Sequence, residues 1–212
     1  MLQETFNFGL LCFTSFFTLV NPLGTMPVFM TMTADLDAAH RNATARKASI
    51  VALITAIAFA LTGPLLFDFF GISVPSFRIV GGVIFFMMGM DMLQARLGPV
   101  KIQQAEVKTY VKDISITPLA IPMICGPGTI TNAIVLMEDA GTWPKTIIFF
   151  LSLIVVMLLN YLILLSSTRI IKILGQTGNN VLMRLMGLIV MVIAVESFFN
   201  GLKPILAEAF AK

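Results

Sequence analysis

The feature that most constrains this chain is an interruption: Asn21-Pro22-Leu23-Gly24-Thr25 falls inside an apolar run, residues 6–32, where a membrane helix should be continuous. A second apolar run is broken in the same way by Pro122-Met123-Ile124-Cys125-Gly126-Pro127-Gly128-Thr129. Proline lacks an amide donor and clashes with the preceding turn, while glycine lets the backbone leave helical geometry. Each stretch therefore predicts backbone groups without helical partners at membrane depth. Hydrocarbon cannot satisfy such groups, so they must be buried in protein or line a cavity. Helices broken at corresponding points of two halves are a sequence pointer to a transporter's binding site.

The membrane setting itself follows from composition. The chain is 58% hydrophobic and only 12% charged, with a mean hydropathy of +0.94, whereas soluble domains run at about 45–50% apolar and about 25% charged. Six spans are predicted, at 6–32, 48–70, 76–93, 114–136, 146–167 and 182–202, each of a length to cross a hydrocarbon core of roughly 30 Å. Residues 33–47 are polar, and Asp35 or Asp37 is placed to cap the helix that leads into the second span. Ala48, Ala52, Ala56 and Ala60 lie four apart on one face of that span, a spacing that lets helices approach closely in lipid. Gly71 to Pro75 makes a short turn, residues 98–113 read as a linker between two halves, and Gly175 to Asn180 reads as a turn after a basic loop with Arg169 and Lys172.

Assigning alternate loops to alternate sides puts ten Lys and Arg residues, from Arg41, Arg46 and Lys47 to Arg169, Lys172 and Arg184, on one side and four, Arg78, Lys145, Lys203 and Lys212, on the other. The positive-inside rule makes the richer side cytoplasmic and places both termini outside the cytoplasm. The net charge of +3 is spread over these loops, which argues for topology and against nucleic acid as a partner. The start carries Glu4 and no basic stretch, so a cleaved signal peptide is not expected. Cys12 and Cys125 both lie in apolar segments, and no disulfide framework is indicated.

The halves share collinear marks. Gly24-Thr25 recurs as Gly128-Thr129, 104 residues later, and Arg78-x-x-Gly81 recurs as Arg184-x-x-Gly187, 106 later. Three spans per unit is an odd number, so the second copy must enter from the opposite face and the repeat must be inverted. The expected fold is an all-α integral membrane protein: one membrane domain made of two inverted three-helix repeats, residues 1–97 and 114–212, joined by a cytoplasmic linker, with helices 1 and 4 broken mid-membrane. In that geometry the amides after Gly24 and Gly128 open the second half-helices and can donate to an anionic group, while carbonyls ending the first half-helices accept from a cation. A zwitterion meets both demands.

These breaks, together with Phe77-Arg78-Ile79-Val80-Gly81-Gly82 and Arg184-Leu185-Met186-Gly187, resemble the MarC family of six-span bacterial inner-membrane proteins, and the resemblance covers essentially the whole chain. It implies a multi-pass protein of a bacterial or archaeal cytoplasmic membrane. It also implies transport of small neutral amino acids such as glycine and alanine, coupled to protons, as in SnatA-type members. Carried over by motif, the substrate would lie near Asn21, Pro22, Gly24 and Thr25, and near Gly126, Pro127, Gly128 and Thr129, with Asn132 as a further contact. The expected partners are the lipid bilayer, the amino acid and protons, with a homo-oligomer left open.

Other residues carry weaker signals. Glu196 is the acid nearest the middle of a span and so the first candidate for proton coupling, with Asp91 nearer the cytoplasmic end the second; for both, an interfacial acid facing water is the plainer reading. Arg78 and Arg184 begin helices three and six, where they snorkel or tie helices together. Asn160 reads as a helix-to-helix hydrogen bond and His40 as solvated surface. No catalytic motif is present, so an enzyme is not expected, and the residues call for no cofactor or metal. The rival functions are an intramembrane thiol-disulfide carrier built on Cys12 and Cys125, an exporter of other small solutes, and a channel. Against the first, the repeat places Cys12 nine residues before the position that matches Cys125, too far to bridge without large movement.

Overall fold

The computed structural model describes residues 2–94 and 114–210, and among them every regular element is helical. In chain order these are α1 (Leu2–Val20), α2 (Pro22–Met32), α3 (Ala38–Phe70), α4 (Val74–Leu93), α5 (Ser115–Ile124) and α6 (Pro127–Ala140). A last helical stretch, Trp143–Phe210, is divided at Gly175, whose φ of 63° and ψ of 176° no helix contains. The division leaves α7 (Trp143–Gly175) and α8 (Thr177–Phe210). Five segments are long and apolar enough to cross a membrane, with α1 and α2 counted together as Gln3–Met32, and six if the pair α5 and α6, bent by 60°, is one span. Arg96, Lys101, Lys108 and Lys112 of the expected linker, and Lys212, lie outside the described residues.

Most boundaries follow from local chemistry. Asp37, not Asp35, starts α3, its carboxylate accepting the His40 amide at 2.8 Å. Gly71 ends α3 at a φ of 63°, a left-handed position suited to glycine, and Ser73 caps α4 through the Ser76 amide. The expected basic loop after the fifth span is instead helix. Nothing from Arg169 to Leu174 opposes a helix, and only Gly175 turns the chain. The second broken region begins earlier than expected, because Thr117 and Ile121, each followed by proline, are extended at ψ 124° and 122°. Proline's ring disfavours the helical region for the residue before it, and α5 winds more widely than an α-helix.

Small residues set the packing. Ala45, Ala48, Ala52, Ala56 and Ala60 are wholly buried along one face of α3, within a cluster that also holds Phe16, Phe29, Leu119, Ile124, Phe149 and Leu153. Close approach on that face lets Asn160 Nδ2 of α7 donate to Ser49 Oγ at 3.1 Å, the helix-to-helix bond expected for Asn160. Helices α4 and α8 pack antiparallel with glycine at each crossing. A Cβ on Gly82 would stand 2.8 Å from the Ala194 carbonyl oxygen, one on Gly89 2.9 Å from that of Gly187, and one on Gly201 2.5 Å from that of Pro75. These contacts define the two ends of the bundle. Pro75, Gly201, Ala140 and Trp143 lie at one, called the first end below; Met92, Gly187, Met32 and Ala38 lie at the other, the second end. At the first end Arg78 of α4 forms an ion pair with Asp139 of α6, and Ser197 Oγ of α8 donates to the Arg78 carbonyl at 3.0 Å.

Candidate functional site

The interruption between α1 and α2 is a single residue. Asn21 has φ 48° and ψ 61°, a left-handed conformation that asparagine tolerates better than most side chains. Its amide still donates back to the Phe17 carbonyl at 3.1 Å, so α1 finishes its pattern. Its side-chain Oδ1 then accepts the Gly24 amide at 3.1 Å and caps α2, where Pro22 occupies the first position and needs no acceptor. Gly24 is glycine for a steric reason: a Cβ there would overlap the Asn21 side-chain amide. The Thr25 hydroxyl donates to the Pro22 carbonyl at 3.0 Å.

The interruption before α6 is built without a cap. The Cys125 amide donates to the Ala120 carbonyl at 2.8 Å and closes the wide turn of α5. Gly126 follows in an extended conformation, with φ −87° and ψ −178°, and Pro127 opens α6 with no side-chain cap. The first backbone bond of α6 runs from the Ile130 amide to the Gly126 carbonyl at 3.0 Å. The amides of Gly128 and Thr129 therefore stand at an uncapped helix start, where the helix dipole favours negative charge. One turn later Asn132 is buried, and its Nδ2 has no hydrogen-bond partner. The Thr129 hydroxyl donates to the Ile124 carbonyl at 3.2 Å, as Thr25 does at the other break.

The two interruptions are neighbours. A Cβ on Gly128 would lie 3.5 Å from Leu19 Cδ2, in the last turn of α1, and 2.7 Å from Met88 Sδ of α4. Pro22, Gly24, Thr25, Gly126, Gly128, Thr129 and Asn132 are all buried, Asn21 is half-buried and Pro127 is exposed. The Thr25 amide, which follows Gly24 and is expected from the sequence to be available to an anion, instead donates to the Asn21 carbonyl at 3.1 Å, and the Gly24 amide to the Asn21 side chain. Two surface hollows, of about 440 Å³ beside Arg46 and Lys47 and about 260 Å³ between α4 and α8, include none of these residues.

The remaining candidates separate. Glu196 is exposed on α8, next to Ser197 and level with the Arg78–Asp139 pair, and its side chain does not line either interruption. Asp91 is also exposed, but it lies one helical turn from Met88, the residue against Gly128, on the side of the second end. Cys12 and Cys125 are free thiols buried in the same core cluster. His40 is exposed and its Nδ1 lies 2.8 Å from Asp37 Oδ2, so it is paired as well as solvated. Among the described residues no group of His, Cys, Asp or Glu is arranged to hold a metal ion. Sequence reading gave Asp139 no role. The available signal was a carboxylate ending one helix at the same end of the bundle as an arginine starting another.

The family model described as MarC family integral membrane protein matches residues 6–206. The chain belongs to the MarC family. A UPF0056 membrane protein of Pyrococcus horikoshii is 40% identical over 205 residues, covering 96% of this chain and 98% of its own length. One from Bacillus subtilis is 36% identical, covering 93% and 95%, and one from Escherichia coli is 36% identical, covering 97% of each. MarC relatives thus occur in bacteria and archaea and match this chain from end to end. No solved structure matches it.

Proposed function

We propose that this MarC-family protein is a secondary transporter of small neutral amino acids, proton-coupled and working by alternating access, with its substrate held where the two helix interruptions meet. The observation that carries the reading is the close approach of the Leu19 side chain to Gly128, which brings the end of α1 against the uncapped start of α6 inside the bundle. The amides of Gly128 and Thr129 would receive the substrate carboxylate, and the unpartnered Asn132 Nδ2 gives a third donor nearby. Carbonyls of the last turn of α1 would face the ammonium group. A small side chain suits the tight surroundings of Leu19 and Met88.

Asn21 changes role in this scheme. Its Oδ1 fixes the turn between α1 and α2, so the carboxylate falls to α6 alone. The exchange of states belongs to two inverted units, 1–97 and 114–212, joined by the linker 98–113. The antiparallel glycine seam of α4 and α8, the third helix of each unit, supports that symmetry. Proton coupling favours Asp91 over Glu196, since only Asp91 lies along α4 from the residue that touches Gly128. The charge asymmetry of the loops puts the first end, with both chain termini, outside the cytoplasm.

The test is uptake by purified protein in liposomes across a panel of amino acids, with and without a pH gradient, followed by counterflow of labelled substrate. Glycine or alanine should enter faster with a proton gradient, and unlabelled substrate on the opposite side should accelerate exchange. Failure of every neutral amino acid removes the substrate reading; movement without counterflow points to a channel.

A further inference from the structure

The ion pair at the first end has a counterpart in the sequence. The spacing of 104 residues that carries Gly24-Thr25 onto Gly128-Thr129 also carries Asp35 onto Asp139, and the spacing of 106 that carries Gly81 onto Gly187 carries Arg78 onto Arg184. Arg78 and Asp139 are joined, linking α4 to the end of α6. Their counterparts lie at the second end: Asp35 just past the end of α2 and Arg184 in the second turn of α8. These two are not joined. Arg184 is exposed and makes no ion pair among the described residues, and Asp35 is engaged elsewhere.

We propose that Arg78–Asp139 and Arg184–Asp35 are alternating latches, one for each end of the bundle, with the first closed in this structure and the second closing when the first opens. The inference rests on the alternating-access reading above. Each pair ties the third helix of one unit to the second half of the broken helix of the other: α4 to α6, and α8 to α2. When inverted units exchange conformations, a contact of the first kind must be replaced by one of the second. The strength is also appropriate. A solvent-facing ion pair biases an equilibrium by up to about fivefold, enough to set which end rests closed without stalling the exchange.

The test uses the full chain in liposomes with two double variants, Arg78→Cys with Asp139→Cys, and Asp35→Cys with Arg184→Cys. A short bismaleimide is added and the joined peptides are measured by mass spectrometry; the native thiols are buried. Both cross-links should form. Adding Arg78→Ala to the Asp35/Arg184 variant should raise its cross-linking rate about fivefold, Asp139→Asn should do the same, and Arg78→Asp combined with Asp139→Arg should return it to the starting rate. Absence of the 35-to-184 cross-link, or a rate indifferent to both Arg78→Ala and Asp139→Asn, overturns the proposal. Counterflow by the protein without cross-linker separates the two readings. Persisting amino-acid counterflow with no 35-to-184 link ends the latches and leaves the transporter. Alternating links without amino-acid counterflow keep the latches and remove the substrate.

Discussion

The two helix interruptions meet the same requirement by different means. At the first, one asparagine in a left-handed conformation ends α1 and caps α2 with its own side chain, so the turn is chemically closed. At the second, Gly126 and Pro127 start α6 with no cap, one turn before Asn132, whose Nδ2 has no hydrogen-bond partner. Matching sequence marks therefore do not give matching chemistry. The first interruption is closed by its own side chain and the second leaves a helix start uncapped, a difference that glycine placement makes testable.

The largest effects are expected where an added Cβ meets something that cannot move. Gly126→Ala puts a methyl 2.5 Å from the Pro122 carbonyl oxygen, which is backbone, and should lower stability by about 2–4 kcal/mol in thermal unfolding in detergent. Gly24→Ala should cost a similar amount, but its obstacle is the Asn21 side chain. Asn21→Gly removes that obstacle and keeps the left-handed turn. Combining it with Gly24→Ala should therefore recover part of the loss, whereas no neighbouring substitution recovers Gly126→Ala. Equal behaviour of the two sites would erase the contrast.

Next in size is Asn21 alone. Asn21→Ala removes the cap, worth about 1 kcal/mol, and places a Cβ-bearing residue without a compensating side chain in the left-handed region at about 1 kcal/mol more. Asn21→Gly should lose only the cap and sit about 1 kcal/mol above Asn21→Ala in stability. If Ala and Gly are equivalent, the left-handed turn is not what the asparagine is for.

Smaller in stability but larger in binding are Gly128→Ala and Asn132→Ala. The Gly128 methyl would stand at ordinary contact distance from Leu19 and crowd only the tip of Met88, which can swing aside, so the fold should lose less than about 1 kcal/mol. Asn132 gives up a donor that has no partner, which offsets the packing it loses. Both should nonetheless weaken glycine or alanine binding by about tenfold, Asn132→Ala through the loss of one hydrogen bond to a charged group and Gly128→Ala because its methyl crowds an amide that it keeps. A stability loss without a binding loss would make the second interruption as structural as the first.

How much of this was legible in sequence depended on range. Proline and glycine act on their own backbone, so the departures from helical dihedral angles at Asn21 and Gly126 fall inside the two motifs. The alanine face of α3 was readable because a four-residue spacing needs no knowledge of the partner, and all four alanines are buried. What could not be read was where each side chain points. Whether Asn21 faces a ligand or its own helix depends on one dihedral angle. Whether Glu196 faces the interior depends on the rotation of α8 against α4, which Gly82, Gly89, Gly187 and Gly201 set jointly. Arg78 and Asp139 are 61 residues apart, and no local rule joins them.

A third helix start gives the comparison its control. Asp37 caps α3 with a carboxylate that accepts the His40 amide at 2.8 Å, and this bond, then the one to the His40 side chain, holds its carboxyl below the ordinary value of 3.8. A carboxyl depressed on folding contributes stability at pH above its unfolded value and loses it as pH falls through the folded one. The cap on α3 should thus survive mild acid and release only below the usual carboxylate range. Asn21 has no charge to lose, and Gly126 has no side chain. Hydrogen exchange, corrected for its intrinsic pH dependence, should show protection of the His40 amide falling selectively in strong acid while that of Gly24 holds. Asp37→Asn should keep a cap, since asparagine accepts the same bond, and abolish the pH dependence. If the Gly24 amide loses protection in step with His40, the α1 to α2 turn is not the self-contained joint that its geometry describes, and the difference between the two interruptions narrows to the missing cap on α6.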